Sequence, residues 1–233
     1  MKTPELHDEE FGDIYVQRRP NAKYVRIRLD HRGQIHATLP TRGSLTHVKK
    51  LIESSRAQLR AAIEAQTQIS PPIYEDGMTI GHTHRIALVY ADNARARTSG
   101  QTIVWAVPHG SLYTSAQNQE VVRRAVRKAL NNQAAAYLPR RLVYIAQDMG
   151  VSYSSIRYAN QKGRWGSCST QGVISLNVAL MNLPKELIDY VLVHELAHLT
   201  HMNHSPQFWQ LVEQHYPDYK NAKKQLKDYS PYL

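Results

Sequence analysis

Two histidines and one glutamate stand together in the stretch YVLVHELAHLTHMNHSPQFW, which runs from Tyr190 to Trp209. His194 and His198 are four positions apart, so on a helix they share one face and lie about 6 Å apart along the axis. Imidazoles at this spacing can bind one zinc ion, which accepts neutral nitrogen ligands. Glu195 would be rotated by roughly 100° around the helix, where it can act as general base on a water molecule. The H-E-x-x-H pattern therefore predicts metal-assisted hydrolysis.

A catalytic zinc site needs a third protein ligand, and further histidines follow the motif. On a straight helix His201 would lie about 10 Å beyond His194, too far for the same ion. His204 can reach the ion only if the chain turns back. Residues 202–206 predict that turn, because an asparagine that tolerates a left-handed conformation precedes a Ser-Pro pair suited to start a new helix. We therefore predict His204 as the third ligand, with His201 and Glu213 as alternatives.

The motif lies in a segment that predicts a buried helix. Nearly every position from Leu187 to Leu199 is apolar, and Pro184 precedes the segment at a position typical of a first helical turn. Polar groups buried without partners cost about 1–3 kcal/mol each. Four side chains of this segment must therefore have partners, namely Asp189, His194, Glu195 and His198.

Residues 1–115 are interpreted as a β-rich N-terminal region. Alternating apolar positions predict a β-hairpin over 24–39, with its turn at 30–33. Segments rich in β-branched and aromatic residues predict further strands at 84–91 and 101–107. This region contains no recognisable chemical motif.

Two helices are predicted before the motif. One begins after Ser44, a typical N-cap residue, and extends to about Gln66. The other extends from Ser115 to Met149 with an interruption at Pro139, because proline cannot donate the backbone hydrogen bond that a helix interior needs.

Residues 116–233 are interpreted as a second region that carries the chemistry. Strands are predicted at 154–159 and 172–180, a helix at 206–215, and a basic C-terminal helix after Pro217. The sequence therefore predicts an α+β fold whose two regions meet between residues 115 and 116.

The composition indicates a soluble globular protein, with 42% hydrophobic residues among 233. Residues 1–13 contain no apolar segment, and no later stretch has the eighteen or so apolar residues that a membrane span needs. We therefore expect a cytoplasmic protein without membrane segments. The single cysteine, Cys168, cannot form an internal disulfide, which agrees with a reducing compartment. No oligomeric state follows from the sequence.

The net charge of +10 permits attraction to nucleic acid. The predicted hairpin has a basic face that carries Arg26 and Arg28 beside three more cations, Arg18, Arg19 and Lys23. The other cations are dispersed along the chain, which is typical of an ordinary solvated surface. Nucleic acid is therefore kept as an alternative partner.

Four short motifs support a resemblance to a known family: RWGSCS at 164–169, ISLN at 174–177, the segment 190–198, and NHS with the following Phe-Trp at 203–209. In their order and spacing they resemble the YgjP-like metallopeptidases, which are relatives of the SprT and WLM-type zinc proteases. The resemblance is strong over about residues 160–219 and weaker upstream.

This resemblance implies a zincin-like metallopeptidase core packed with the β-rich N-terminal portion, and a peptidase that binds zinc through His194, His198 and His204. It implies that Glu195 is the catalytic base. It also implies that the strand around residues 174–180 flanks the active-site cleft, where an extended protein or peptide substrate could add as a further strand.

The role of the RWGSCS stretch is left open. Trp165 and Cys168 can pack against the motif helix while Gly166 permits a tight turn. Arg164 or Ser167 could instead contact the substrate or its oxyanion. Cys168 is disfavoured as a nucleophile or ligand, because three histidines already leave the open position that catalysis needs. Two other side chains are candidates for contact with the oxyanion, His201 and Tyr216.

We therefore predict a cytoplasmic zinc metallopeptidase that hydrolyses peptide bonds with Glu195 as general base. One alternative is a basic nucleic-acid-associated protein with a structural zinc site, although such a site does not need Glu195. Another is a protease that acts on DNA-bound proteins, as some SprT and WLM relatives do.

Overall fold

The computed structural model of the chain describes residues 5–29, 34–67 and 71–233. The chain forms two compact units, Met1–Ser70 and Pro71–Leu233, each with its own hydrophobic core. Six helices and three small sheets lie within the described residues. The predicted α+β class is therefore confirmed.

The first unit contains a four-stranded sheet. Its strands are β1 (Leu6–Asp8), β2 (Gly12–Arg19), β3 (Arg26–Leu29) and β4 (Ile35–Pro40), in the order β1-β2-β4-β3. β3 and β4 pair antiparallel, as the predicted hairpin requires. The predicted turn at 30–33 lies outside the described residues.

The helix predicted after Ser44 is divided into two, α1 (Leu45–Ser54) and α2 (Arg56–Thr67). The Ser44 hydroxyl accepts a hydrogen bond from the backbone N–H of Thr46 at 3.2 Å, so Ser44 is the expected N-cap. The break falls at Ser55. The apolar spacing continues across this residue, which explains why the sequence predicted a single helix.

The second unit begins with another four-stranded sheet. Its strands are β5 (Thr79–Ile80), β6 (His84–Ala91), β7 (Arg95–Ser99) and β8 (Thr102–Pro108), in the order β5-β6-β8-β7. The two predicted strands, β6 and β8, are present and pair in parallel. The strand that forms a hairpin with β8 is β7, whose sequence RARTS contains too few apolar residues to predict a strand.

The helix α3 (Ala116–Asp148) is continuous, so the interruption predicted at Pro139 is wrong. A proline inside a helix costs about 3 kcal/mol. Leu138 and Leu142 on either side of it are completely buried, and burying a leucine contributes roughly 1.5–3 kcal/mol. α3 also packs against both sheets of the unit, so tertiary contacts stabilise it through the proline. The boundary between regions that the sequence predicts between residues 115 and 116 lies within the second unit, directly before α3.

A three-stranded sheet follows, made of β9 (Ser155–Ala159), β10 (Gly166–Cys168) and β11 (Val173–Asn177) in the order β10-β11-β9. β11 is the central strand, antiparallel to β10 and parallel to β9. The predicted strands at 154–159 and 172–180 correspond to β9 and β11, but β10 was not predicted. A 3-10 turn at Val178–Asn182 replaces the end of the second predicted strand.

The remaining helices are α4 (Lys185–Ala197), α5 (Pro206–His215) and α6 (Tyr219–Gln225), followed by a short 3-10 turn at Leu226–Asp228. α4 is the predicted buried helix, α5 matches the range predicted for it, and α6 is the predicted basic helix after Pro217. No helix in the described ranges combines the length and the apolar character needed to cross a membrane.

An ion pair between Arg141 of α3 and Asp189 of α4 positions the motif helix. Arg141 donates two hydrogen bonds of 2.7 Å, one to each carboxylate oxygen of Asp189. This bidentate pair supplies the partner that the sequence requires for Asp189, and it raises the pKa of Arg141 through the hydrogen bonds to that carboxylate.

Replacing Asp189 with asparagine should lower the free energy of unfolding of the second unit by about 1–2 kcal/mol, because one charge-assisted hydrogen bond is lost in a partly exposed pair. Urea unfolding followed by tryptophan fluorescence reports this unit, since Trp105, Trp165 and Trp209 all belong to it. The matched control is Glu213→Gln, whose carboxylate lies 3.7 Å from Lys220 with 53% of its side chain exposed. Similar changes for both variants would contradict a structural role for the Arg141–Asp189 pair.

Candidate metal centre

The carboxyl end of α4 carries the H-E-x-x-H residues. The helix ends at Ala197, and His198 is its C-cap with helical backbone angles, φ −66° and ψ −18°. His194 and His198 therefore still project from one helix face. Their ring centroids are 5.0 Å apart and the rings are nearly perpendicular.

The third ring of the cluster belongs to His204, which lies in the turn between α4 and α5. One ring nitrogen from each of His194, His198 and His204 lies within 4.8 Å of the others. The Nε2 atoms of His194 and His204 are 3.1 Å apart. The chain turns back beyond α4, and the Ser205 hydroxyl caps α5 by accepting from the N–H of Phe208. The structure therefore brings together the three histidines that the sequence proposed as ligands.

The orientation of the His198 ring is fixed by the turn that follows it. Its Nδ1 lies 3.1 Å from the backbone carbonyl of His201, so the tautomer with Nδ1–H donates to that oxygen. Nε2 then keeps a lone pair for a metal ion, and such a backbone contact is typical of histidine ligands. His201 contributes its carbonyl to the site, and its ring is not part of the cluster among the described residues.

The donor set fits a zinc ion. Burial, together with the neighbouring His198 and His204, lowers the pKa of His194 to about 3. Burial also lowers the pKa of His198, although its hydrogen bond to the His201 carbonyl acts in the opposite direction. Nδ1 of His194 is buried without a hydrogen-bond partner in the described part of the chain. Neutral imidazoles that converge in this way are the ligands that zinc accepts, and three of them leave a position open.

Aromatic side chains of α5 and α6 pack around the histidines. Phe208 is completely buried, and its ring centroid lies 4.6–5.0 Å from those of the three histidines. The His204 ring stacks on Trp209 at 5.6 Å, and Trp209 stacks on Tyr219 at 5.3 Å. The amino group of Lys223 lies 4.4 Å from the centre of the Trp209 ring. His204 lies in an exposed turn, and its stacking on Trp209 orients its ring.

Glu195 directly follows His194 on α4, and only 6% of its surface is exposed. Burial raises the pKa of its carboxyl to about 7, although the positive charge of Arg164 acts in the opposite direction. A carboxyl group with a pKa near neutrality can both accept and return a proton. The helix that carries two of the three histidines thus also carries a potential general base.

The other candidates have different surroundings. Glu213 is exposed and lies 3.7 Å from Lys220, outside the histidine cluster. The Tyr216 hydroxyl donates to the backbone carbonyl of Glu186 at 3.1 Å. Burial and the negative charge of Glu195 raise the pKa of Cys168, which disfavours the thiolate that a nucleophile needs.

Comparison with protein families decides the assignment. The model of the YgjP-like metallopeptidase domain matches residues 23–229. The chain belongs to the YgjP-like metallopeptidase family. This membership confirms the resemblance drawn from the four sequence motifs, and it extends over both units of the chain.

Two solved structures are similar to part of this YgjP-like chain. The metallopeptidase zymogen abylysin of Pyrococcus abyssi is 30% identical, with 38% of this chain and 90% of its own covered and a TM-score of 0.36. The metallopeptidase zymogen jannalysin of Methanocaldococcus jannaschii is 20% identical, with 39% and 93% covered and a TM-score of 0.36. A comparison with curated proteins gives no match.

Sequence reasoning missed how β10 shapes the site of this YgjP-like protein. At Gly166 an added Cβ would lie 2.7 Å from Cγ and Oε1 of Glu195, so only glycine leaves room for the carboxylate. The resemblance had included this glycine within RWGSCS. Its contact with Glu195 could not be read from the local sequence, because Glu195 lies 29 positions further along the chain.

The loop before β10 is held by Asn177, which sequence reasoning also missed. Its side chain is buried, and its amide donates to the backbone carbonyls of Gln161 and Arg164 at 2.6 and 3.0 Å. Its side-chain oxygen accepts from the N–H of Ala179 at 3.0 Å. A polar residue inside the strand predicted at 172–180 was the available signal for this role.

Replacing Gly166 with alanine should lower peptide cleavage by roughly 100-fold, because misplacing a catalytic group by about 1 Å can have that effect. Metal content should stay unchanged, since the clash involves Glu195 and no histidine. The matched control is Gly163→Ala in the loop before β10, where an added Cβ meets no atom within 4 Å. Equal activity of the two variants would contradict a role for the contact between Gly166 and Glu195.

Proposed function

We propose that this protein is a zinc-dependent peptidase with His194, His198 and His204 as zinc ligands and Glu195 as general base. The observation that carries this proposal is the convergence of three imidazole nitrogens at the end of a helix that also carries a buried glutamate, Glu195. Membership of a metallopeptidase family supports peptide bonds as the substrate class.

The chemistry follows from the protonation states of these side chains. A zinc ion, when bound, lowers the pKa of a water molecule and polarises the scissile carbonyl. The Glu195 carboxylate accepts a proton from the attacking water and returns it to the leaving amine. Its pKa of about 7 suits both steps. His194 and His198 stay neutral because burial lowers their pKa values.

An extended substrate would pair with the edge strand β10. The sequence-based expectation placed it beside the strand at 174–180, but β11 is paired on both sides and offers no free edge. Ser169 N–H donates to the Val173 carbonyl, and Asn177 N–H donates to the Trp165 carbonyl. In an antiparallel pair, hydrogen-bonded positions alternate with positions whose backbone N–H and C=O groups point away from the partner strand. Gly166 and Cys168 therefore have N–H and C=O groups available for a substrate strand next to Glu195.

The alternative of a structural zinc site gives no role to Glu195. A structural site is closed by four protein ligands, whereas only three histidines converge here among the described residues. The space that Gly166 leaves for the Glu195 carboxylate also has no purpose in that interpretation. These contacts favour a catalytic site.

The proposal is tested by incubating the tag-free, zinc-loaded protein with a mixture of peptides derived from a whole proteome. New amino termini, identified by mass spectrometry, should appear, disappear with a chelator, and return when zinc is added back. The residues around the cleavage sites would then define the substrate preference. Absence of cleavage by protein that holds one zinc per chain would overturn the peptidase proposal.

A further inference from the structure

The sheet of the first unit has one covered face and one open face. The covered face consists of the buried side chains of β2 and β4, which pack with Val48 and Ile52 of α1 and Leu59 of α2. Because side chains alternate along a strand, the residues between them lie on the other face. No described helix of this unit packs against that second face in the same core.

The open face carries aromatic and basic side chains in register. Tyr15 of β2 pairs with His36 of β4, which in turn pairs with Arg28 of β3. The rings of Tyr15 and His36 stack at 5.3 Å with an angle of 21° between their planes. In the next row, Thr38 of β4 pairs with Arg26 of β3. Two planar rings therefore lie beside two cations on this face.

A hollow of about 530 Å³ lies at one end of this face. Tyr24 lines it with 74% of its surface exposed, so its ring is accessible to a ligand. None of the described residues that line the hollow is acidic. Four of them are cationic, namely Arg19, Lys23, Arg26 and Arg28.

Three acidic residues near this sheet, Asp8, Glu10 and Asp13, have partners outside the hollow. Asp8 and Glu10 lie 3.0 and 3.1 Å from Arg56 of α2, and Glu10 also lies 2.7 Å from Arg60. Asp13 lies 2.9 Å from His7 in the neighbouring strand β1. The hollow therefore keeps a local excess of positive charge.

We propose that this face, formed by Tyr15, Tyr24, Arg26, Arg28 and His36, binds single-stranded nucleic acid. Cations attract the phosphate backbone, and exposed rings stack on unpaired bases without selecting a sequence. A hollow of this volume is far larger than one phosphate group needs. Duplex DNA hides the faces of its bases from such rings, so the aromatic residues favour single strands. This inference does not depend on the peptidase proposal.

The test uses the full chain and a fluorescent single-stranded DNA of about 20 nucleotides, with binding followed by anisotropy at roughly 50 mM salt. The variant Arg26→Gln/Arg28→Gln should bind at least about tenfold more weakly. Its slope of log K against log salt should be smaller by about 1.4, since each phosphate contact on a single strand contributes about 0.7. The matched control is Arg95→Gln/Arg97→Gln, which removes two exposed arginines at the same spacing from β7 of the second unit.

The aromatic contribution is tested at Tyr24. The Tyr24→Leu variant should lose about 5- to 100-fold in affinity, whereas Tyr24→Phe should keep it, because stacking needs only the ring. Tyr90→Leu in the second unit is the control, since Tyr90 is also exposed, at 56%. Circular dichroism verifies that each variant is folded.

Four results would overturn the proposal. They are absent binding at low salt, equal losses in the two double-arginine variants, displacement of the DNA by inorganic phosphate at constant ionic strength, and equal affinity for duplex with no effect of Tyr24→Leu. The third result would indicate a site for small anions, and the fourth would indicate attraction by charge alone.

Discussion

Replacing Glu195 with glutamine is expected to abolish peptide cleavage while zinc stays bound. Glutamine has nearly the same shape but cannot accept a proton from water, and general base catalysis contributes about 10²- to 10⁴-fold to a rate. The side chain is not a member of the histidine cluster, so metal affinity should hardly change. The measurement is kcat/KM on a peptide found in the cleavage screen, together with zinc content by elemental mass spectrometry.

The control for this variant is Glu213→Gln, because Glu213 is an exposed glutamate on α5 that lies beside Lys220. It should retain full activity and full zinc content. Cleavage by Glu195→Gln at the rate of the parent protein would contradict the role of Glu195 as base. Loss of zinc from that variant would show instead that the carboxylate helps to hold the metal.

Replacing His204 with alanine should reduce the zinc content of the dialysed, tag-free protein from about one ion per chain to nearly none. Mutating a residue that only hydrogen-bonds to a zinc ligand changes metal affinity by about 10- to 100-fold. Loss of a direct ligand should therefore weaken binding by more than about 100-fold. Elemental mass spectrometry measures the content, and competition with a chelator measures the affinity.

The matched control is His201→Ala. It removes a neighbouring imidazole but keeps the backbone carbonyl that orients His198. This variant should hold zinc like the parent protein. If His201→Ala lost the metal and His204→Ala kept it, the ligand assignment would have to be exchanged between these two histidines.

The parts of the site that the sequence predicted are those fixed by local spacing. His194 and His198 share a face because they are one helical turn apart, and the Ser205-Pro206 pair starts α5 as expected. The turn begins earlier than the predicted range of 202–206, since α4 ends at Ala197.

The parts that the sequence did not predict depend on residues far apart in the chain. β10 has only three residues, too few for a periodic pattern, and it exists because it pairs with β11. The contact between Gly166 and Glu195 joins two residues that are separated by β11, the 3-10 turn and most of α4. The interruption predicted at Pro139 was wrong because the burial that stabilises α3 cannot be read from its local sequence.

The three histidines all fall between residues 194 and 204. An ion bound there closes only a short loop of chain, and closing a short loop costs little conformational entropy. The hydrophobic core of the second unit, by contrast, is built from α3, α4 and the strands of two sheets. Zinc would therefore order one turn at the end of one helix, and the protein could fold before it acquires its metal, unlike domains that remain unfolded without zinc.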